Sequence, residues 1–269
     1  MLTSLQNPLV KQMRKLHRAK ERREQGLFLL EGTHLLEEAC AVDFPLAVVC
    51  CTLGWQDRHA ELWERASQRA SRVELVSAEV LEAIATTVQP DGVVATAERR
   101  SPHSPLSSNM SLAIALETLQ DPGNLGTVIR TAAAAGVDGL WVSADSVDLD
   151  HPKVLRASAG QWFRLPMATS KDLQAEILQL QSKGVQVVAT LPTAELTYWQ
   201  ANFEQPTLVL LGNEGAGLSE SLTAMADVQV KIPLAAGVES LNVAIAAALI
   251  LYEAQRQREG EGKGLGARG

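Results

Sequence analysis

The stretch Thr207-Leu-Val-Leu-Leu-Gly-Asn-Glu-Gly-Ala-Gly-Leu218 decides the fold class of the second half of the chain. In it, a short and uninterrupted apolar run ends directly in a loop of glycine, asparagine and glutamate. Such runs are typical of parallel strands that are covered on both faces, and α/β proteins bind ligands at the carboxyl ends of these strands. The stretch therefore predicts a buried strand followed by a functional loop.

Further apolar runs of this kind lie on both sides of that strand, and helical patterns separate them. The other predicted strands of this half are 111–116, 139–143, 185–190 and 228–232. The predicted helices are 125–135, 154–159, 171–183, 219–225 and 241–256. This alternation predicts a doubly wound α/β domain.

The first hundred residues predict a smaller α/β unit. Residues 9–25 carry apolar Val10, Met13 and Leu16 at helical spacing, which indicates one basic amphipathic helix that ends at Gly26. Strands are predicted at 28–30, 46–51, 73–76 and 92–97, and helices at 33–41, 57–70 and 78–85.

Composition divides the chain into four parts. Residues 99–109 contain two prolines and four serines without apolar periodicity, which is typical of a linker, and the end of the chain is Gly-rich and charged. We expect a small α/β domain at 1–98, the linker at 99–109, a larger α/β domain at 110–257 and a disordered tail at 258–269.

Several classes of protein are disfavoured by composition. The chain has 269 residues, 46% of them hydrophobic, which is ample for two packed cores. Its apolar run 241–252 is shorter than the roughly 20 residues that a bilayer requires, and residues 1–10 lack the core of a secretory signal. Three cysteines, Cys40, Cys50 and Cys51, and five scattered histidines fit neither a disulfide framework nor a zinc site. We expect a cytoplasmic protein without a metal or a membrane contact.

One segment is strongly basic although the net charge is −7. Between Lys11 and Glu24 there are seven cations and two anions. A solvated helix face would explain this pattern, and so would an electrostatic footprint for RNA. The candidate RNA-binding residues are Lys11, Arg14, Lys15, Arg18 and Arg22.

Three loops, each placed after a predicted strand, could carry chemistry. They are Asp121-Pro-Gly-Asn-Leu-Gly-Thr-Val-Ile-Arg130, Leu211-Gly-Asn-Glu-Gly-Ala-Gly-Leu218 and Ile232-Pro-Leu-Ala-Ala-Gly-Val-Glu-Ser-Leu-Asn242. The second is neither a P-loop nor a dinucleotide fingerprint, so ATP and NAD are not indicated. Asn124, Ser240 and Asn242 could each simply cap a following helix. A buried Glu214 would need a partner, and Arg130 is the cation expected to supply it.

In this order and at this spacing, the three loops resemble the signature motifs of the SpoU (TrmH-type) RNA ribose methyltransferases of the SPOUT superfamily. The N-x-G-x-x-x-R element is present as Asn124, Gly126 and Arg130, G-N-E-G-x-G-L as residues 212–218, and I-P with E-S-L-N as residues 232–233 and 239–242. The front unit, with Asn7-Pro8, Lys11, Lys15-Leu16 and Phe28-Leu-Leu-Glu-Gly32, resembles more loosely the substrate-binding domain found before such catalytic domains.

The resemblance implies an α/β fold with a C-terminal trefoil-knot methyltransferase domain, preceded by a small α/β RNA-binding domain. It also implies that S-adenosylmethionine is the methyl donor. The residues implied to line the donor pocket are Thr190, Leu211, Gly212, Asn213, Ile232, Leu234, Ser240 and Leu241. Leu234 stands where many relatives carry methionine, which is a swap of similar volume.

The implied reaction is methyl transfer to a ribose 2′-hydroxyl of RNA. Its implied catalytic residues are Arg130, Asn124, Glu214, Ser240 and Asn242. A guanidinium, with a pKa above about 12, seldom acts as a base. Our hypothesis is therefore that Arg130 binds the target phosphate and orients the 2′-oxygen, while the other four position Arg130 and the donor.

Alternatives remain open for both the substrate and the class of protein. Ribosomal RNA of the 23S type is favoured because the front unit resembles domains used on large structured RNA, and transfer RNA remains open. A non-catalytic RNA-binding protein on the same fold is a second class, and a nucleotide-dependent oxidoreductase ranks last because a dinucleotide fingerprint is missing. The resemblance further implies a homodimer, with the apolar C-terminal helix as a dimer element.

Overall fold

The structure, a computed structural model, describes residues 1–99 and 110–259. The predicted linker, apart from residue 99, and the predicted tail beyond residue 259 lie outside the described residues. The described chain forms two compact units. One contains residues 1–99 together with Asp148–Phe163, and the other contains residues 110–147 and 164–259.

Within residues 1–99 the front unit is built on one four-stranded sheet. The strands are β1 (Leu27–Glu31), β2 (Leu46–Cys51), β3 (Ala70–Leu75) and β4 (Val93–Glu98), in the order β1-β4-β2-β3. The helices are α1 (Pro8–Lys15), α2 (Ala19–Gln25), α3 (Thr33–Ala41), α4 (Leu53–Arg58), α5 (Ala60–Arg69) and α6 (Ala78–Ile84). Successive residues of β1 face opposite sides of the sheet, so Phe28 and Leu30 belong to one core and Leu29 to the other.

The predicted basic helix at 9–25 is wrong in one respect, because it is two helices with a break at 16–18. The break is stabilised by a contact from outside the local sequence pattern. The Arg22 guanidinium donates to the backbone carbonyls of Leu16 and His17, at 3.2 and 3.3 Å. Those carbonyls are thereby satisfied without a continuing helix. Helix 57–70 is likewise divided, at His59, into α4 and α5.

The second unit is a parallel sheet of seven strands within the described residues. The strands are β5 (Leu112–Leu116), β6 (Gly139–Ser143), β7 (Met167–Ser170), β8 (Gln186–Thr190), β9 (Leu196–Thr197), β10 (Thr207–Leu211) and β11 (Val228–Lys231). Their order is β7-β6-β5-β10-β8-β11-β9, and every pairing is parallel. The helices that follow residue 110 are α7 (Pro122–Ala134), α8 (Pro152–Ala157), α9 (Leu173–Gln181), α10 (Glu220–Thr223) and α11 (Val243–Glu259), with 3₁₀ turns at Gln161–Phe163 and Tyr198–Gln200. The doubly wound α/β prediction is confirmed, whereas the trefoil knot stays a prediction.

Helix α8 belongs to the front unit, although its sequence lies between strands of the second. Leu155 is fully buried in the core around Phe28, and Trp162 packs on Phe28 with 5.1 Å between ring centroids. Arg156 Nη1 also lies 2.9 Å from Glu31 Oε2. The predicted domain boundaries at 98 and 110 did not assign residues 148–163 to the front unit. The apolar and ionic partners of this segment lie more than a hundred residues away in sequence, so local pattern could not show them.

Two strands, β7 and β9, are absent from the sequence prediction. Strand β7 is Met-Ala-Thr-Ser and β9 has only two residues, so neither presents an apolar run. At the other end of the chain, α11 continues to Glu259, past the predicted start of the tail at 258. In the described part of the chain, every helix is too short or too polar to span a bilayer.

Candidate active site

The three loops singled out in the sequence meet at the carboxyl edge of the second sheet. Strand β10 lies between β5 and β8, and β11 lies on the far side of β8. The loops after β5, β10 and β11 therefore leave the sheet at neighbouring positions. This is the edge at which doubly wound sheets bind their ligands.

Asn124 does not cap α7, which was the alternative role that the sequence left open for it. Asp121 caps α7 instead, because its Oδ1 accepts from the backbone N–H of Asn124 at 2.8 Å, with Pro122 in the first helical position. The Asn124 side chain is thereby left for other partners. Its Nδ2 donates to Glu214 Oε1 at 3.1 Å, and its Oδ1 accepts from Asn242 Nδ2 at 2.9 Å.

Glu214 is exposed, and the expectation of a buried carboxylate paired with Arg130 is wrong. Its Oε1 accepts hydrogen bonds from Asn124 Nδ2 and, at 3.4 Å, from the backbone N–H of Asp121. Two neutral donors in a hydrated position satisfy this carboxylate without a cation. Among the described residues Arg130 makes no ion pair. It is exposed on α7, six residues after Asn124.

Asn242 combines the capping role with a contact to the first loop. Its Oδ1 accepts from the backbone N–H of Ala244 at 2.9 Å at the start of α11, while its Nδ2 donates to Asn124. Each of the three loops thus contributes one residue to a continuous hydrogen-bonded chain, Asn242 to Asn124 to Glu214. Ser240 is exposed and lies two residues before Asn242 in sequence.

A cavity of about 320 Å³ opens beside the second and third loops. Its lining includes all eight residues predicted to bind the methyl donor, which are Thr190, Leu211, Gly212, Asn213, Ile232, Leu234, Ser240 and Leu241. Other lining residues were not predicted, among them Leu191, Pro192, Val243 and Ala246, which lie just outside the motifs, and Gly217 and Glu239, which lie inside them. This volume lies at the lower end of the range typical of small-molecule sites.

Two features of the cavity bear on ligand binding. A Cβ added to Gly212 would lie 2.1 Å from the backbone carbon of Gly217, so two segments of the loop touch and only glycine fits there. Thr190 Oγ1 is buried and finds no hydrogen-bond partner among the described residues. A buried hydroxyl without a partner is costly unless a ligand or water supplies one.

The basic residues of the front unit divide into two groups. Lys11, Arg14, Lys15 and Arg18 are exposed. Arg22, the fifth predicted RNA contact, is only 1% exposed, and its guanidinium pairs with Asp148 Oδ2 at 2.9 Å and Asp150 Oδ1 at 3.3 Å. Arg22 is therefore withdrawn from the predicted RNA-binding set, because a paired and buried guanidinium cannot reach a phosphate.

Family models match both halves of the chain. The model described as the SpoU rRNA methylase family matches residues 111–252. A second model, described as an MRM3-like substrate-binding domain, matches residues 7–95.

Similar proteins extend over nearly the whole chain. A Synechocystis protein, described as an uncharacterized tRNA/rRNA methyltransferase, is 48% identical over 91% of this chain and 89% of its own length. The 23S rRNA (guanosine(2553)-2′-O)-methyltransferase RlmP of Bacillus subtilis is 32% identical over 91% and 95%. The crystal structure of an AdoMet-bound rRNA methyltransferase from Sinorhizobium meliloti superposes with a TM-score of 0.85 at 32% identity, covering 95% of this chain and 97% of that one.

Proposed function

We propose a substrate and a mechanism from the premise that this chain belongs to the SpoU rRNA methylase family and is an S-adenosylmethionine-dependent RNA 2′-O-ribose methyltransferase. The proposed substrate is ribosomal RNA of the large subunit. Relatives named for 23S rRNA methylation support it, as does the substrate-binding domain matched at 7–95. We propose that the enzyme acts in the cytoplasm.

The observation that carries the proposal is the cavity beside the Asn242–Asn124–Glu214 chain. S-adenosylmethionine supplies an electrophilic methyl group on a sulfonium centre. Ile232, Leu234 and Leu241 line the cavity and would supply apolar side chains for its adenine, and the 212–217 loop, whose residues also line the cavity, would supply backbone polar groups. Thr190 Oγ1 is a buried hydroxyl without a partner among the described residues, and a bound donor would supply one. The residues present therefore fit this donor.

Arg130 is proposed to bind the phosphate next to the target ribose. Its guanidinium is exposed and makes no ion pair among the described residues, so a phosphate does not have to displace a carboxylate from it. An arginine fork binds phosphate oxygens through two parallel hydrogen bonds. A phosphate held in this way would orient the neighbouring ribose 2′-oxygen toward the methyl group. Orientation alone can lower the activation free energy by several kcal/mol.

Asn124, Glu214, Ser240 and Asn242 are proposed to hold the reacting groups in register. Asn124 and Arg130 lie on the same helix, and Asn124 is hydrogen-bonded to both of the other motif loops. Ser240 lines the cavity directly. Displacement of any one loop would therefore move Arg130 relative to the donor.

The exposed basic residues of α1 and of the turn after it are proposed to bind RNA phosphates. Lys11, Arg14, Lys15 and Arg18 are all exposed. Contacts of this kind release counterions, so RNA affinity should fall steeply with salt concentration. An affinity that does not change with salt would refute this role.

A homodimer is the proposed assembly. Helix α11 exposes Ile245, Leu249 and Tyr252 at helical spacing, with Leu241 one turn earlier. An apolar stripe of this kind on a helix surface favours a protein partner. Light scattering on the purified protein tests the assembly, and a monomer at micromolar concentration would refute it.

Methyl transfer to separated RNA fractions tests the proposed function. Labelled S-adenosylmethionine is incubated with ribosomal RNA and with transfer RNA in separate reactions, and the product is mapped by nuclease digestion and alkali resistance. Alkali-resistant label at one ribosomal site is the expected result. Label in the transfer RNA alone would overturn the substrate, and label in neither would favour a non-catalytic RNA-binding protein.

A further inference from the structure

Side chains of the loop after β6 form hydrogen bonds with the turn after β5. Ser143 Oγ accepts from the backbone N–H of Thr118 at 2.7 Å, and Ser146 Oγ accepts from that of Leu119 at 3.0 Å. Asp145 Oδ2 accepts from the Thr118 hydroxyl at 2.7 Å, and Asp145 Oδ1 accepts from the Ser143 hydroxyl. We define Ser143, Asp145 and Ser146 as the β6 clamp.

The clamp holds Thr118 in an unfavourable backbone conformation. Thr118 has a φ of 54°, in the left-handed region, where a β-branched residue is rare. Such a conformation persists only where the surroundings impose it. Each of the three donor groups that fix this turn, the N–H and hydroxyl of Thr118 and the N–H of Leu119, is bound by the clamp.

The left-handed turn presents a carbonyl to the loop that lines the donor cavity. Asn213 Nδ2 donates to the Thr118 carbonyl oxygen at 2.8 Å. The Oδ1 of the same side chain accepts from the backbone N–H groups of Gly215 and Ala216, at 2.8 and 3.0 Å. The side chain of Asn213 thus connects the turn after β5 to the shape of the 212–217 loop.

We infer that Asp145 is a positioning residue for the methyl-donor site, acting through Thr118 and Asn213. It does not touch the cavity beside the 212–217 loop, and it has no place in the three sequence motifs. The inference rests on the proposed function for the identity of the ligand. Hydrogen bonds from the Ser143 and Thr118 hydroxyls lower the pKa of the Asp145 carboxyl, which keeps it an ionised acceptor near neutral pH.

The test is a double-mutant cycle between Asp145→Ala and Asn213→Asp. Asn213→Asp removes the donor to Thr118 but keeps Oδ1 for Gly215 and Ala216. Two readouts are used: amide hydrogen exchange of 212–218 in the protein alone, and the Kd of S-adenosylmethionine by calorimetry. Asp145→Ala should speed exchange and weaken donor binding by about tenfold, and in the Asn213→Asp background it should add less than about twofold.

Two comparison variants keep this test decisive. Asp145→Asn retains one acceptor oxygen and should give an intermediate effect, and it replaces Asp145→Ala if that variant does not fold. Glu204→Ala removes an exposed carboxylate from the same unit, away from the cavity, and should change neither readout. Effects of Asp145→Ala that add fully to those of Asn213→Asp, or an unchanged exchange rate, would overturn the positioning role.

Wild-type methyl transfer separates this inference from the proposed function. If the wild type methylates RNA but Asp145→Ala leaves the exchange rate and the Kd unchanged, only the positioning role of Asp145 is refuted. If the wild type methylates no RNA, the proposed function fails, while hydrogen exchange of the free protein still decides whether Asp145 orders the loop.

Discussion

Asn242 Nδ2 donates a 2.9 Å hydrogen bond to Asn124 Oδ1, which joins the start of α11 to the first turn of α7. The orientation of both amides follows from their other partners. Asn242 Oδ1 accepts from the Ala244 N–H, so its Nδ2 faces Asn124; a Glu214 carboxylate can only accept, so Asn124 turns its Nδ2 to it. The donor and the acceptor of each hydrogen bond from Asn242 through Asn124 to Glu214 are thus fixed, and Asn124 is the central residue of the three.

Replacing Asn124 should lower turnover without weakening the donor site. Asn124→Ala loses both side-chain hydrogen bonds, and Asn124→Asp keeps an acceptor for Asn242 but places a second carboxylate beside Glu214. Because misplacement of reacting groups by about 1 Å can cost 10²-fold in rate, we expect kcat to fall about 10²-fold in either variant. Steady-state kinetics and calorimetry measure this, with Thr127→Ala, an exposed position on the same helix, as control. A tenfold rise in donor Kd with unchanged kcat would contradict the assignment.

Arg130→Ala should also lower turnover strongly while leaving the affinity for S-adenosylmethionine unchanged, because Arg130 does not line the cavity. The expected loss in kcat/KM for RNA is about 10²-fold or more, since a positioned charge on the phosphate is lost. Arg130→Lys should restore little, because an ammonium cannot form the two-pronged contact. Lys183→Ala, an exposed cation of the same unit, is the matched control. Near-normal turnover of Arg130→Ala would remove Arg130 from the mechanism.

Two glycines of the same loop should respond differently to alanine. A Cβ at Gly212 would lie 2.1 Å from backbone carbon of Gly217, whereas one at Gly215 would lie 3.5 Å from Asn213 Oδ1, an ordinary contact. Gly212→Ala must therefore displace backbone that lines the cavity, and we expect its Kd for the donor to rise by about 10²-fold or more. Gly215→Ala should stay within about threefold of wild type. Equal Kd values for the two variants, measured by calorimetry, would show that loop contact does not shape the site.

The parts of the fold that the sequence predicts well are those in which local pattern and burial agree. Strands 46–51, 139–143 and 207–211 have the predicted bounds because each is a nearly continuous apolar run. The bounds of β7 and β9 could not be predicted in this way, since their residues are few and partly polar.

Long-range partners explain the remaining differences. Arg18 and Arg22 share one basic pattern, yet only Arg22 meets Asp148 and Asp150, about 130 residues later. Pattern likewise cannot show that Asp121 caps α7 and releases Asn124 for Glu214. The eight residues predicted for the donor site line one cavity, and they could be predicted together because motif resemblance already contains such long-range information.

The cysteines should be unreactive in the folded protein. Burial raises the pKa of the Cys50 and Cys51 thiols from 9.0 to about 12, and burial also raises the pKa of Cys40. Because the thiolate is the nucleophile, a thiol reagent at pH 8 should label none of the three until the protein is unfolded. Because the thiol pKa values are higher in the folded than in the unfolded protein, these cysteines contribute their full stabilisation below about pH 9. That stabilisation is lost as pH rises from about 9 to 12. Rapid labelling of the native protein at pH 8, measured by mass spectrometry, would contradict this burial.

Arg22 and Arg18 should separate stability from RNA binding. Arg22→Ala removes the buried cation that Asp148 and Asp150 share. Asp148 keeps Arg23 and Asp150 keeps Arg99 as partners, so we expect the free energy of unfolding to fall by about 2–4 kcal/mol. Arg18→Ala, at an exposed position, should change that free energy by less than about 0.5 kcal/mol. In RNA-binding titrations it should weaken affinity and reduce the slope of log K against log salt by about one, because one phosphate contact is lost. Denaturant unfolding of both variants supplies the comparison. An Arg22→Ala protein of wild-type stability with weakened, less salt-dependent RNA binding would reverse the assignment, because Arg22 would then have to leave its carboxylate partners to reach RNA.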